Sequence, residues 1–270
     1  MNWYFAISAA SLDRADHDWR GLIASAIASA KQRTRLKPHM LYDGEPSAFT
    51  DDIRALGVTV IHHRVSFYDE LVAFSLARRY PDWLSIAAGA FLRTEIPLIE
   101  HDEDYVLYTD CDVMFLRDVP RLQCRSAPFA VAPETNPLTR RNINSGVMVM
   151  NLPALRRDWP QFRQFMIDNF EDLISFDQTA YEKFYAKRWR RLSPSYNWRP
   201  YWGYYPWAHV VHWHGPKPTL VRRLLNGDTT PVEIWDRFFR RAPRSYARYL
   251  ATWDDFQAGA AGFQPSADVR

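Results

Sequence analysis

The sequence predicts an α/β chain with a mixed, mostly parallel sheet flanked by helices. Short β-prone runs alternate with helical patterns over residues 3–96, and such alternation calls for crossover connections and a covered sheet. Tyr105, Val106, Leu107 and Tyr108 form an apolar run suited to a strand buried within that sheet. With 270 residues, 47% hydrophobic and 24% charged, the chain is long enough for a sizeable core and has an ordinary globular composition.

Residues 3–9 read as the first strand, followed by a loop with Asp13, Asp16 and Asp18 and then the helical pattern GLIASAIASAKQR. Residues 38–42 form a second strand closed by Asp43 and Gly44, and residues 57–62 a third, after a short helix over 51–56. From 83 to 96, Leu84, Ala88, Phe91 and Leu92 recur at helical spacing, with Pro97 closing the element. Arg93 lies beside that stripe. It is either an exposed helical arginine or a residue held on the sheet near the acids that follow.

The organising stretch is YVLYTDCDVMFL, in which the strand runs into Asp110 and Asp112. In extended backbone, residues two apart point the same way, and paired carboxylates invite a divalent cation. A plain turn is the competing interpretation. Residues 129–132 form another short strand, followed by a polar loop over 133–142. Residues 147–152 are a strand entered through Asn144, Ser145 and Gly146, residue types that fit either a turn or a ligand contact.

Residues 158–174 make the clearest amphipathic helix, with Trp159, Phe162, Met166, Phe170 and Leu173 on one side. The break FDQ follows, and Asp177 suits an N-cap for the next helical run. The stretch LSPSYNWRPYWGYYPW is an aromatic loop, too rich in Pro and Gly for regular structure. It leads to a short strand where Val210, His212 and His214 share a face if extended. Imidazole beside carboxylates suits Mn²⁺-like ions, and Lys217 can meet a phosphate as a point charge.

The tail from Glu233 mixes Arg with aromatics, as in a solvated helix with its rings turned inward or a helix lying on an anionic membrane surface over 233–253. From Ala258 the composition suggests a frayed end. A net charge of +3 is too small to imply a nucleic-acid binder, while a pI near 8.8 favours anionic ligands such as a diphosphate. The 11 Trp and 14 Tyr suit stacking on bases or sugars as well as core packing. Cys111 and Cys124 lie in no metal-ligand spacing and are expected reduced. No leader-like stretch opens the sequence and no apolar run reaches the ~18 residues of a membrane span. The expected location is therefore cytoplasmic, either free or, as the less favoured alternative, peripheral at the inner face of a membrane through the tail.

Taken together and in order, LYTDCDVMF, INSGVMVMNL, FDQ and VVHWHGPKP resemble glycosyltransferase family 8, whose members have a GT-A fold and use nucleotide sugars. The resemblance covers residues 83–218. It implies a GT-A domain over 1–225 and a C-terminal helical extension and frayed tail over 226–270. It also implies Mn²⁺ (or Mg²⁺) held by Asp110, Asp112 and His212, with His212 chosen over His214 because the family pattern reads His, two residues, then Gly, as His212 to Gly215 does here.

Arg93, Asp110, Asn144, Ser145, Gly215 and Lys217 match the family's donor-binding positions, and Asp177 and Gln178 its pair at the reacting sugar. The sequence departs from the family in having only Pro216 between Gly215 and Lys217, where two residues are usual, and Thr219 where a Trp usually stands. The activity implied is metal-dependent, retaining transfer from a UDP-sugar to a glycan or lipid-linked acceptor, as in surface polysaccharide assembly. Two other interpretations are a non-catalytic nucleotide-sugar or glycan-binding protein, and a haloacid-dehalogenase-like phosphohydrolase built on Asp-x-Asp. The second would carry its motif near the N-terminus and need a late acidic pair after a strand, whereas Asp110 lies past residue 100 and the late pair here, Asp254 and Asp255, follows a helical pattern.

Overall fold

A computed structural model describes residues 1–14, 17–139 and 142–260. Asp16 of the first loop and the tail of 261–270 lie outside the described residues, as do positions 140 and 141. The described strands, in chain order, are β1 (Asn2–Ser8), β2 (Lys37–Asp43), β3 (Thr59–His62), β4 (Tyr105–Thr109), β5 (Val113–Phe115), β6 (Phe129–Pro133), β7 (Ile143–Asn151), β8 (Arg190–Arg191) and β9 (Val210–His212). The chain forms two compact units. One gathers residues 1–14, 37–109 and 121–192, and the other the described residues of 15–36, 110–120 and 193–270.

The first unit is built on a seven-stranded sheet in the order β3-β2-β1-β4-β7-β6-β8. β1 pairs in parallel with β2 and β4, β2 with β3, and β6 with β8, while β7 runs antiparallel between β4 and β6. The sheet is thus mixed and mostly parallel, as the alternation of strands and helices predicts. β4 is central, and its Val106 and Leu107, which face opposite ways, are both fully buried. Phe91, Phe162, Tyr181 and Tyr185 from the flanking helices complete the core around Tyr108 and Met148.

Several boundaries differ from the sequence expectation for identifiable reasons. The helix before β4 ends at Phe91, passes through a 3₁₀ turn at Leu92–Glu95, and restarts as Ile96–Ile99. Pro97 does not close an element but sits in a first turn, where its missing N–H leaves no bond unmade. The amphipathic helix starts at Leu152, with Pro153 in its first turn, and runs to Asp168 with Pro160 inside it. Asn144, Ser145 and Gly146 are not a turn but part of β7, all of whose residues are buried. What disguises them is a bulge: Val131 of β6 pairs with Met148, whereas its neighbour Ala132 pairs with Asn144.

The second unit holds the two-stranded antiparallel sheet of β5 and β9, in the register Val113↔His212 to Phe115↔Val210. Helix Trp19–Arg33 supports β5, where Ser29 Oγ accepts from Phe115 N at 3.0 Å. Helix Pro243–Ala260 sends Tyr246, Tyr249, Leu250, Trp253 and Phe256 into the core with Met114, Val211 and Trp213, and leaves Arg244 and Arg248 exposed. Its rings are therefore turned inward, and the helix continues through Ala258, where fraying was expected. The aromatic loop is also partly core: Asn197, Arg199 and Tyr201 are buried, while Tyr204 and Trp207 are exposed. No helix among the described residues is long and apolar enough to cross a membrane.

Candidate functional site

β4 ends at Thr109, and the chain then bends through Asp110, Cys111 and Asp112 before β5 begins. The acids are not on an extended segment as expected, yet they converge. Asp110, Asp112 and His212 each offer a ligand atom, and these atoms lie within 4.8 Å of one another. The register explains the meeting, since Val113 pairs with His212 and Trp213 N donates to Asp112 O at 2.9 Å. His212 Nε2 lies 3.3 Å from Asp112 Oδ1 and 3.7 Å from Asp110 Oδ2. The Asp110 side chain is 29% exposed and that of Asp112 only 5%, so the group is open at Asp110 and closed at Asp112.

His212 is oriented from behind. Its Nδ1 lies 3.0 Å from Asn197 Oδ1, an acceptor, so a neutral His212 keeps its proton on Nδ1 and has its Nε2 lone pair to offer a metal. His214 lies past the end of β9, with its Nδ1 3.2 Å from the Tyr201 hydroxyl. Burial, with His212, Arg199 and Lys217 nearby, holds it well below the ordinary imidazole range. It is not part of the converging group.

Lys217 Nζ donates to Asp112 Oδ2 and, at 2.9 Å, to Trp213 O. Burial alone would raise the Asp112 carboxyl, but Lys217 and His212 more than reverse this and hold it well below the usual carboxylate range. The donor set fits a divalent ion: two carboxylates, one of them accessible, and an imidazole whose second nitrogen is already tied. Gly215 has φ +100°, and a Cβ there would come 2.9 Å from Phe238 Cδ2 of helix Glu233–Arg241. Only glycine suits both demands.

A second group lies in the first unit. Arg93 is buried, with Nε 3.1 Å from Asp177 Oδ2, NH1 donating to Ser145 O at 2.8 Å, and its guanidinium 4.4 Å over the Tyr108 ring. Gln178 Oε1 accepts from Ser145 N at 3.1 Å and from Asn144 Nδ2 at 3.3 Å, while Nε2 donates to Glu134 Oε1 at 3.2 Å. The bulge in β7 puts these backbone and amide groups where the helix Phe176–Tyr185 can meet them. Asp177 is not the N-cap, which is Ser175. It lies in the helix's first turn, where a carboxylate also complements the helix dipole.

The sequence model of Glycosyl transferase family 8 matches residues 14–221, well over half of the chain. The chain belongs to glycosyltransferase family 8. Glucoside xylosyltransferase 1 of Mus musculus is 31% identical over 129 residues, covering 35% of this chain and 32% of the relative, so the match spans about a third of that curated protein. Among solved structures, GlyE of Streptococcus pneumoniae TIGR4 has a TM-score of 0.61 at 16% identity, with coverage of 100% of this chain and 66% of GlyE. An active-site mutant of LgtC also gives 0.61, at 18% identity over 89% of this chain and 95% of that one. The galactosyltransferase LgtC, in complex with donor and acceptor sugar analogs, gives 0.59 at 19% identity over 88% of this chain and the whole of the other. At such identities the likeness shows the fold, which is GT-A.

Family 8 membership removes the phosphohydrolase interpretation. Asp254 and Asp255 lie inside helix Pro243–Ala260 and not after a strand. The sequence singles out Asp110, Asp112 and His212, which converge, but not Asn197, the partner of His212, nor Tyr108 and Glu134, the partners of Arg93 and Gln178. Asn197 carried a usable signal, as a lone amide within an aromatic, proline-rich loop. Tyr108 and Glu134 carried none, because only the sheet brings them to Arg93 and Gln178. Both cysteines are free and buried, and burial pushes the Cys124 thiol up to about 12, which makes it inert.

Proposed function

We propose that this chain transfers a sugar from a UDP-sugar to a hydroxyl of a glycan or lipid-linked acceptor, with Mn²⁺ or Mg²⁺ held by Asp110, Asp112 and His212 and with retention of anomeric configuration. The observation that carries this is the convergence of those three side chains, with His212 held by Asn197, in a family 8 chain. A bound divalent ion supplies Lewis acidity toward the diphosphate leaving group, where negative charge builds as the sugar departs. Asp110 and Asp112 would give such an ion its anionic ligands, and His212 a neutral one. Lys217, with Gly215 allowing its loop to turn, supplies a further positive charge for the phosphates.

The roles of the other residues follow from what holds them. Arg93 fixes Ser145 through its carbonyl and Asp177 through its carboxylate, and Gln178 fixes Asn144 and Ser145. In this reading Arg93, Asn144, Ser145, Asp177 and Gln178 bind and orient the donor sugar. Asp177 is engaged by Arg93, and Gln178 is bonded at both ends of its amide, which favours same-face attack by the acceptor over a covalent glycosyl-enzyme. Contact with an anionic membrane surface through 233–253 draws support from exposed Val232 and Ile234 beside Arg237 and Arg240. Such contact suits a cytoplasmic enzyme of surface polysaccharide assembly.

The names of the relatives suggest the first donors to try, UDP-xylose and UDP-galactose, with UDP-glucose beside them. Incubated with Mn²⁺ and simple glycosides, the protein should release UDP from at least one donor, and Asp112→Asn should abolish the release. Absence of release from every donor, by protein shown to be folded and metal-replete, would sink this reading in favour of a binding protein.

A further inference from the structure

Lys217 occupies the carboxylate on which the metal reading depends. Its ammonium donates to Asp112 Oδ2, so one oxygen of this buried carboxylate is already engaged, with His212 Nε2 3.3 Å from the other. The lysine is held there at a second point by the Trp213 carbonyl, 2.9 Å away, and its side chain is only 12% exposed. The chain brings it close. Asp112 O accepts from Trp213 N, Gly215 turns with φ +100°, and Pro216 alone separates that turn from Lys217.

A cation arriving among Asp110, Asp112 and His212 would share one buried carboxylate with an ammonium, and like charges at such distances repel. Lysine is suited to leaving. It is a point charge on a flexible four-carbon stem with three donors, and a diphosphate offers it more acceptors than one carboxylate oxygen does.

The geometry points to Lys217 as an internal counter-ion that competes with the metal for Asp112 and is drawn off by the donor's diphosphate, so that diphosphate binding and metal binding reinforce one another through this one side chain. The inference rests on the proposed metal site. Its consequence is specific: the free protein holds the metal weakly, and the donor raises metal affinity beyond what direct phosphate–metal contact gives. By linkage, the metal raises donor affinity by the same factor.

The test is titration of Mn²⁺ alone into the full chain, followed by electron paramagnetic resonance or calorimetry, for wild type and Lys217→Met. Lys217→Gln, which keeps a donor for the Trp213 carbonyl, serves as a second variant should the first fail to fold. Removing the ammonium should tighten Mn²⁺ at least about tenfold, within the 5–150-fold range usual for coupled sites. A substitution that merely damaged the site would weaken it. Lys217→Arg, which keeps the charge, should stay near wild type. Saturating UDP should then tighten Mn²⁺ more in wild type than in Lys217→Met, by the factor the substitution gained. Equal Mn²⁺ affinity in wild type and Lys217→Met would overturn the competition while leaving the metal site standing. Absence of Mn²⁺ binding from every variant would overturn both.

Discussion

Arg93 Nε and Asp177 Oδ2 lie 3.1 Å apart, in a pair whose side chains are only 10% and 5% exposed. No local pattern announces this pair, since the arginine follows one helix and the aspartate opens another. Breaking a buried ion pair from one side leaves a charge without compensation, at a cost of about 3–5 kcal/mol. Asp177→Asn should therefore lower the denaturant midpoint strongly. Arg93→Met with Asp177→Leu should recover a large part of the loss, because the double variant strands no charge. Urea unfolding of the two proteins checks both statements.

Asn197 holds the far nitrogen of His212. Replacing such a partner typically costs 10–100-fold in metal affinity. Asn197→Ala should weaken Mn²⁺ by about that factor with the fold retained, read by the same titration as for Lys217 but with the opposite sign.

Gly215 combines φ +100° with a position 2.9 Å from Phe238 for any added Cβ. Gly215→Ala should destabilise by at least about 1–3 kcal/mol, the usual range for a residue held in a backbone region it disfavours. Adding Phe238→Ala would relieve the clash but not the dihedral strain, so only part of the loss should return in thermal melts.

Glu100 is buried and accepts from Asn2 Nδ2 at 2.6 Å, Tyr4 OH at 2.8 Å, and the backbone N–H groups of Asp102 and Glu103 at 2.6 and 3.2 Å. Burial opposes ionisation, but these bonds outweigh it and lower the pKa below the ordinary value. A carboxylate lowered in the folded state contributes stability that is complete above its unfolded pKa of about 4.3 and is lost as pH falls through the folded value. Glu100→Gln should thus cost about 1–3 kcal/mol at neutral pH. The gap from wild type should narrow as the medium is acidified below about pH 4.3, which unfolding curves at stepped pH would record.

What the sequence made legible was whatever a short window contains. The strand of Tyr105–Thr109 and the histidine of Val210–His212 are local patterns that lie where periodicity and residue type put them, while the acids follow the strand in a bend and not in extended backbone. Asn144 was misplaced because a bulge in a strand and a turn before one use the same small polar residues. The cap assigned to Asp177 failed for a related reason. A carboxylate at a helix start satisfies either a backbone amide or a distant cation, and here Arg93 claims it. The sequence offers Lys217 to a phosphate, and its contact with Asp112 depends on a β5–β9 pairing that no window displays.

Asp110, Asp112 and His212, acting together, should make nucleotide binding depend on a divalent metal. Thermal denaturation with UDP, Mn²⁺, both or neither, on wild type and Asp112→Asn, tests it most directly. Ligand near a hundred times its dissociation constant adds roughly 2.7 kcal/mol, a rise of several degrees for a chain of this size. That rise is expected in wild type only when UDP and Mn²⁺ are present together, and it should be lost in Asp112→Asn. An equal rise with UDP alone, or one that persists in Asp112→Asn, would contradict it.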